Sequence, residues 1–341
     1  MKPLQGPTRS GNNETLLPPG VGKRRSFLDI FPPSSYTGAM MEIVAPGEWF
    51  GVLDILEKEK GVAIILGATD TGKSTLAKFL IFNLCQRGLT IALVDADIGQ
   101  SFLGPPATIG FSLFKSDPDW ELILSPPAIF FVGSTTPEGH FPIHLKGVKR
   151  MVDKAASMAA DVILVDTTGF VLGDTSRELK IRKIDLISPR FILALQKSEE
   201  LEPILGHHKE SPLLRTFRLP LSEKVRPKSM EERKIYRTDR FQEYFKHSVV
   251  QELAIEAVRI EGEVHDPNGD TLPLDWALRI NGLLVGLKDR DDETLALGVI
   301  RNYIEEKKVV RVLTPFGETE KVKTIQLSSL KVIPLYEDSR A

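Results

Sequence analysis

From residue 41 to about residue 200, short apolar runs alternate with longer amphipathic or polar stretches. The runs fall at 61–66, 90–95, 128–132, 161–166 and 191–196. Each has strand length and is dominated by Val, Ile, Leu, Ala or Phe, the composition of strands covered on both faces. Between them, 76–85 reads as a helix, and 144–160 places Leu145, Val148, Met151, Val152, Ala155 and Ala159 at helical spacing, so its methionines belong to a core. Strands alternating with crossover helices predict an α/β fold, with a mostly parallel sheet flanked by helices and ligands bound beyond the carboxyl ends of the strands. After residue 250 the texture changes to runs at 253–260, 283–288, 295–301, 308–313 and 325–333, separated by turns at 267–270 and 289–293. That pattern predicts a smaller C-terminal β domain. The expected organisation is a weakly ordered tail over 1–40, an α/β domain over 41–248 and the β domain over 249–341.

The first apolar run leads into Gly67-Ala68-Thr69-Asp70-Thr71-Gly72-Lys73-Ser74-Thr75, which matches the phosphate-binding pattern G-x-x-x-x-G-K-[ST]. A strand precedes it and a helix follows, as a P-loop NTPase domain requires. In such a loop the backbone N–H groups and the helix N-terminus wrap the phosphates of a nucleoside triphosphate. Lys73 spreads charge over the outer two, and the Ser74 hydroxyl ligates Mg²⁺.

The second strand ends in Asp95-Ala96-Asp97-Ile98-Gly99-Gln100, with two carboxylates on alternate residues and therefore on one side of the chain. One can hold Mg²⁺ through water while the other takes a proton from an attacking hydroxyl. Asp166 closes the strand at 161–166 in a Walker-B-like position, followed by Thr167, Thr168, Gly169 and Phe170. The loop over 133–140 adds the hydroxyls of Ser134, Thr135 and Thr136 at the same sheet edge.

Composition narrows the classes. With 42% hydrophobic and 26% charged residues in 341, the chain is globular, and a net charge of −2 requires any nucleic-acid affinity to come from a local patch. The single cysteine, Cys85, excludes an internal disulfide framework and a cysteine-only zinc cluster, and its position reads as a core thiol. No run reaches the roughly 18 apolar residues of a membrane span, and no secretory signal opens the chain, so an intracellular, cytoplasmic location without membrane contact is expected.

The strongest basic patch lies at 224–246, with eight basic against four acidic residues. Arg233 and Arg237 are four residues apart, share one face of a helix, and suit an arginine lid over transferring phosphates.

Taken together, GATDTGKST, VDADIGQ, VGSTTP, DTTGF and ERKIYRTDRFQEYF resemble the Clp/Grc family of polynucleotide 5′-hydroxyl kinases, over roughly residues 41 to 335. The resemblance implies ATP on the phosphate loop, with Gly72, Lys73, Ser74 and Thr75 at the phosphates and Mg²⁺ near Ser74 and Asp95. It implies Asp97 as the base for the 5′-hydroxyl of RNA, with DNA as a further candidate. Gln100 would organise the metal and phosphate region, and Arg233 and Arg237 would form the lid pair. Thr135 or Thr136, with Thr167, Thr168, Gly169 and Phe170, would grip the terminal nucleotide. One departure stands out: Phe170 occupies a position where the family commonly has tryptophan, giving a smaller stacking face and no N–H donor. Two alternatives stay open: a catalytically silent ATP-bound subunit of an RNA-processing assembly, and an ATPase or ligase of the dethiobiotin-synthetase type.

Overall fold

The computed structural model describes residues 43–115, 126–266 and 268–332, so the tail expected over 1–40 lies outside the described residues. The chain opens with α1 (Gly47–Glu59), β1 (Gly61–Gly67), α2 (Lys73–Gln86), β2 (Ile91–Ala96), β3 (Thr108–Phe114) and β4 (Ala128–Phe131). It continues through α3 (Phe141–Ser157), β5 (Val162–Thr167), α4 (Asp174–Ile187), β6 (Phe191–Leu195), α5 (Glu202–Leu205), β7 (Arg215–Leu219) and α6 (Met230–Phe245). The remainder comprises β8 (Val249–Ala254), β9 (Arg259–Glu261), α7 (Leu274–Ala277), β10 (Leu283–Lys288), β11 (Thr294–Ile304), β12 (Val309–Thr314) and β13 (Thr324–Lys331).

The parallel part of the sheet runs in the order β7-β6-β1-β5-β2. β2 and β5 are buried at every position, which explains their unbroken apolar runs. One face carries α3, α4 and α5. There Val148, Met151 and Val152 of α3, Ile184 of α4 and Ile204 of α5 pack on Ile64, Val94, Val165 and Ile192. α2 crosses from β1 to β2 and contacts β1, β2 and β5, with α1 packed against it. Cys85 is buried on α2, and burial pushes its thiol up to about 12, as suits a core group.

Two strands escape the apolar pattern for opposite reasons. β3 contains Gly110 and Ser112, and it pairs antiparallel with β2 and β4. β7 is an edge strand of sequence Arg-Thr-Phe-Arg-Leu, with Leu219 as its one buried residue. The run at 253–260 is also divided. β8 ends at Ala254, a 3₁₀ turn takes residues 255–257, and β9 starts at Arg259.

The strands after residue 248 are mainly antiparallel and continue the same sheet. Thr294 of β11 pairs with Ile129 of β4, and its hydroxyl accepts the N–H of Phe131 at 3.0 Å. The described residues from Ala45 onward form one compact unit. A shared apolar cluster seals the junction: Ile129 and Phe131 from β4, Leu284 from β10, Leu297 and Val299 from β11, and Phe241 and Phe245 from α6. The far end of α6 is therefore anchored in the core. Among the described residues no helix is long and apolar enough to cross a membrane.

The junction has a direct test. A Cβ on Gly286 would lie 2.8 Å from Cγ of the fully buried Phe131 ring, which has no room to swing aside. Gly286→Ala is expected to lower unfolding free energy by about 1–3 kcal/mol in chemical denaturation, and unchanged stability would contradict a shared core.

Candidate active site

The site begins where β1 runs out at Gly67 and α2 starts at Lys73. Gly72 caps α2 at φ 87°, and a Cβ there would come within 2.9 Å of Val225 on the approach to α6, so this close passage requires glycine. Lys73 is buried and its Nζ donates to the Ala68 carbonyl at 2.8 Å, which also accepts from the Thr71 hydroxyl at 2.9 Å. Burial lowers the Lys73 ammonium, opposed by Asp166, Asp97 and Asp70. The loop is thus wrapped around its own lysine, with α2 directed away from it.

Because β1, β5 and β2 are neighbours, their carboxyl ends bring three carboxylates together. The one against Ser74 is Asp166: the Ser74 hydroxyl donates to its Oδ2 at 2.6 Å. Its Oδ1 is buried without a hydrogen-bond partner. Burial raises the Asp166 carboxyl, opposed first by the Lys73 ammonium. Asp95, expected beside Ser74, is turned elsewhere. Its Oδ1 accepts the N–H of Asp97 at 3.0 Å, and its Oδ2 accepts the N–H groups of Phe102 at 2.6 Å and Leu103 at 2.8 Å, with the Ser101 hydroxyl at 3.3 Å. Both oxygens are spent on folding the loop. Burial pushes Asp95 up to about 8, reinforced by Asp166 and Asp97.

Asp97 is held differently. Its Oδ1 accepts the N–H groups of Gly99 at 3.1 Å and Gln100 at 3.0 Å, while Oδ2 takes no hydrogen bond among the described residues. The side chain lines a cavity of about 350 Å³. Thr135, Thr136, Thr168, Gly169 and Phe170 share that lining with Thr69 of the phosphate loop, and Pro137, Val171 and Leu172 extend it. Gly169 permits the contact between walls, since a Cβ there would fall 2.6 Å from the Thr69 backbone. Volume and mixed lining suit a small polar ligand with an aromatic or apolar face.

Thr167 does not join the cavity. It is the last residue of β5, and its hydroxyl donates to the Ile65 carbonyl at 2.8 Å. Beneath both lies Lys180, fully buried, whose Nζ donates to Thr167 Oγ1 at 2.9 Å, Thr168 O at 2.6 Å and Thr168 Oγ1 at 3.3 Å. One turn on, Lys183 is also fully buried, and its Nζ has no partner among the described residues. Burial lowers it to about 7, opposed by Asp97 and Asp166. The motifs gave no hint of these two lysines. The available signal was their spacing, which puts Lys180 and Lys183 on the same stripe of α4 as Leu179, Ile184 and Ile187.

The arginine segment is a helix with a capping box, Ser229 with Glu232, that begins above the phosphate loop. Arg233 donates through Nη2 to Asp70 Oδ2 at 2.5 Å and to the Lys228 carbonyl at 3.1 Å. Arg237 is half-buried and makes no hydrogen bond or ion pair among the described residues. Four more hydrogen bonds tie α6 to the loop that Asp95 shapes. Gln100 Nε2 donates to the Arg233 carbonyl at 3.3 Å, Tyr236 donates to the Ser101 carbonyl at 2.8 Å, and Arg240 donates to the carbonyls of Phe102 at 3.2 Å and Gly104 at 2.6 Å. Gln100 thus links loop to lid.

With phosphate loop, carboxylates, cavity and lid in place, residues 67–247 match the family described as mRNA cleavage and polyadenylation factor CLP1 P-loop. The chain belongs to this family. It is 32% identical over 308 residues to a polyribonucleotide 5′-hydroxyl-kinase of Methanocaldococcus jannaschii, covering 77% of this chain and 84% of that protein. A polyribonucleotide 5′-hydroxyl-kinase of Pyrococcus furiosus is 29% identical over 319 residues, covering 81% and 88% respectively. A solved complex of wild-type Clp1p with Pcf11p shares the fold, at TM-score 0.66 and 14% identity over 86% of this chain and 80% of that one. As a CLP1 P-loop protein, this chain uses a nucleotide.

The contrast between the two strand-end aspartates can be measured. Asp95→Ala orphans three main-chain N–H groups and is expected to cost about 3 kcal/mol or more, whereas Asp97→Ala, at the wall of an open cavity, is expected to cost about 1 kcal/mol. Equal losses in denaturant unfolding would contradict the structural role of Asp95.

Proposed function

We propose that this protein is an ATP-dependent polynucleotide 5′-hydroxyl kinase that transfers the γ-phosphoryl group of ATP to the 5′-OH end of RNA. The observation that carries the reading is the position of Asp97, with one oxygen anchored and the other unbonded, on a cavity bordered by the phosphate loop. The relatives named polyribonucleotide 5′-hydroxyl-kinases support the same reading.

In this mechanism the 5′ oxygen attacks the γ phosphorus, the bond to the β-phosphate oxygen breaks, and Asp97 receives the hydroxyl proton. Lys73 neutralises the outer phosphates, and Arg233 and Arg237 face charge that develops as the phosphoryl group moves. Thr135, Thr136, Thr168, Gly169 and Phe170 hold the terminal nucleotide, so that proximity and alignment do much of the work. Phe170 offers a base a stacking face.

A divalent cation fits the residues present. Ser74 and Asp166 bring a hydroxyl and a carboxylate together, and the buried, unpartnered Oδ1 of Asp166 is an acceptor in want of a charge. Among the described residues no cluster of three or more His, Cys, Asp or Glu forms a metal cage. Mg²⁺ in such sites needs only one or two carboxylates and completes its shell with water and phosphate. When bound, Mg²⁺ supplies charge neutralisation across the β- and γ-phosphates. We assign its protein ligands to Ser74 and Asp166, and assign Asp95 to the architecture behind them.

Labelled ATP with matched oligonucleotides tests the reading. RNA ending in 5′-OH is expected to accept label and the 5′-phosphate form to refuse it. Lys73→Ala should abolish transfer, and Asp97→Asn should reduce it roughly 10²–10⁴-fold with ATP binding retained. ATP binding without transfer by the native chain would favour a silent assembly subunit, and ATP turnover indifferent to oligonucleotide would favour a hydrolase or ligase.

A further inference from the structure

We propose that Asp70 is a positioning residue that docks the arginine lid onto the phosphate loop and orients Arg233. This inference rests on the kinase reading for its catalytic consequence, though not for the docking itself. A single oxygen, Asp70 Oδ2, accepts both the Lys228 N–H at 3.0 Å and Arg233 Nη2 at 2.5 Å. Both donors lie more than 150 positions away in sequence, one just before the start of α6 and one on its first turn.

Three further observations give these contacts weight. First, Asp70 sits at φ 56°, in the left-handed region that glycine adopts most easily. Backbone economy alone would place glycine there, and the carboxylate is what glycine would lack. Second, the pair is largely withdrawn from water, with Arg233 20% and Asp70 12% exposed, so salt screens it less than a surface pair. Third, the far half of α6 is fixed without it, by Phe241 and Phe245 in the apolar cluster and by Tyr244, whose hydroxyl accepts the Leu297 N–H at 2.9 Å. Asp70 therefore acts on the near half, alongside the Gln100 and Tyr236 contacts to the neighbouring loop. Arg233 uses only Nη2 in its hydrogen bonds among the described residues, so Nε and Nη1 stay available while the guanidinium is held at one corner. An arginine pinned in this way loses little further freedom when it engages a phosphoryl group, which is how orientation lowers a barrier.

The test is a double-mutant cycle on the full chain, using Asp70→Asn, Arg233→Ala and the pair, with ATP and a 5′-OH oligoribonucleotide as substrates. Asparagine tolerates the left-handed backbone and keeps a neutral acceptor, so the loop survives. Asp70→Asn is expected to lower kcat roughly tenfold while KM for ATP moves much less, and the double variant to be no slower than Arg233→Ala. Additive losses, or an unchanged or raised kcat in Asp70→Asn, would overturn the proposal. Asp70→Gly relieves the backbone and removes the carboxylate. It is expected to lose kcat to a similar degree without losing thermal stability, and a fall in both would point to a merely structural role and overturn the proposal. Amide hydrogen exchange on the nucleotide-free protein separates docking from catalysis. Asp70→Asn should speed exchange over 228–235 and leave 239–245 unchanged. Unaltered exchange at 228–235 would refute the docking even if the native chain transferred no phosphate.

Discussion

The site depends on the acceptance, by one buried carboxylate, of a loop's main chain. Asp95 takes the N–H groups of Asp97, Phe102 and Leu103 and the hydroxyl of Ser101, and so folds residues 97–103 into a single shape. That loop has two working sides. One presents Asp97 to the cavity. The other offers the carbonyls of Ser101 and Gly104 to Tyr236 and Arg240 on the lid helix. Asp97 and α6 are thus set by the same turn of chain, which accounts for placing a carboxylate where burial alone would neutralise it.

Helix α6 is accordingly fixed at its far end rather than a free flap. Phe241 and Phe245 lie in a cluster shared by β4, β10 and β11, so the antiparallel array beyond residue 248 supplies the anchorage for a helix whose near end meets the phosphate loop. The continuity of the sheet through β4 and β11 makes this anchorage part of the same framework that carries the phosphate loop. Small displacements at that junction would be felt at the near end of α6, about 24 Å away for a helix of 16 residues.

Much of this was legible in the sequence because its signals were local. The phosphate loop, the strand-end carboxylates and the 224–246 segment are each defined by spacing over a few residues, and the central strands announce themselves through burial on both faces. What escaped depended on long-range partners. β3 is buried between β2 and β4 despite its Gly and Ser, and β7 is an exposed edge strand with two arginines, so neither reads as an apolar run. Asp95 and Asp166 both end strands, and nothing local says which of the two will face Ser74. That is decided by the order β1-β5-β2, which puts Asp166 on the strand next to the loop. Thr167 and Thr168 are adjacent and chemically identical, yet one bonds to Ile65 while the other lines the cavity. Lys180 hides within an amphipathic helix, where a lysine normally marks the wet face.

The electrostatics follow the same geometry. Three carboxylates, Asp95, Asp97 and Asp166, crowd the strand ends, with Lys73 in front and Lys180 and Lys183 behind, all three lysines buried. In the proposed reaction, phosphate would sit against Lys73 and a cation against Asp166. The central claim is that the cavity presents a 5′ oxygen to Asp97. The most direct measurement is a crystal structure with a non-hydrolysable ATP analogue, Mg²⁺ and a short 5′-OH oligoribonucleotide. The account requires the terminal 5′ oxygen within about 2.6–3.2 Å of an Asp97 carboxylate oxygen and in line with the γ phosphorus. A terminal nucleotide bound elsewhere, or an Asp97 turned away from it, would contradict the account.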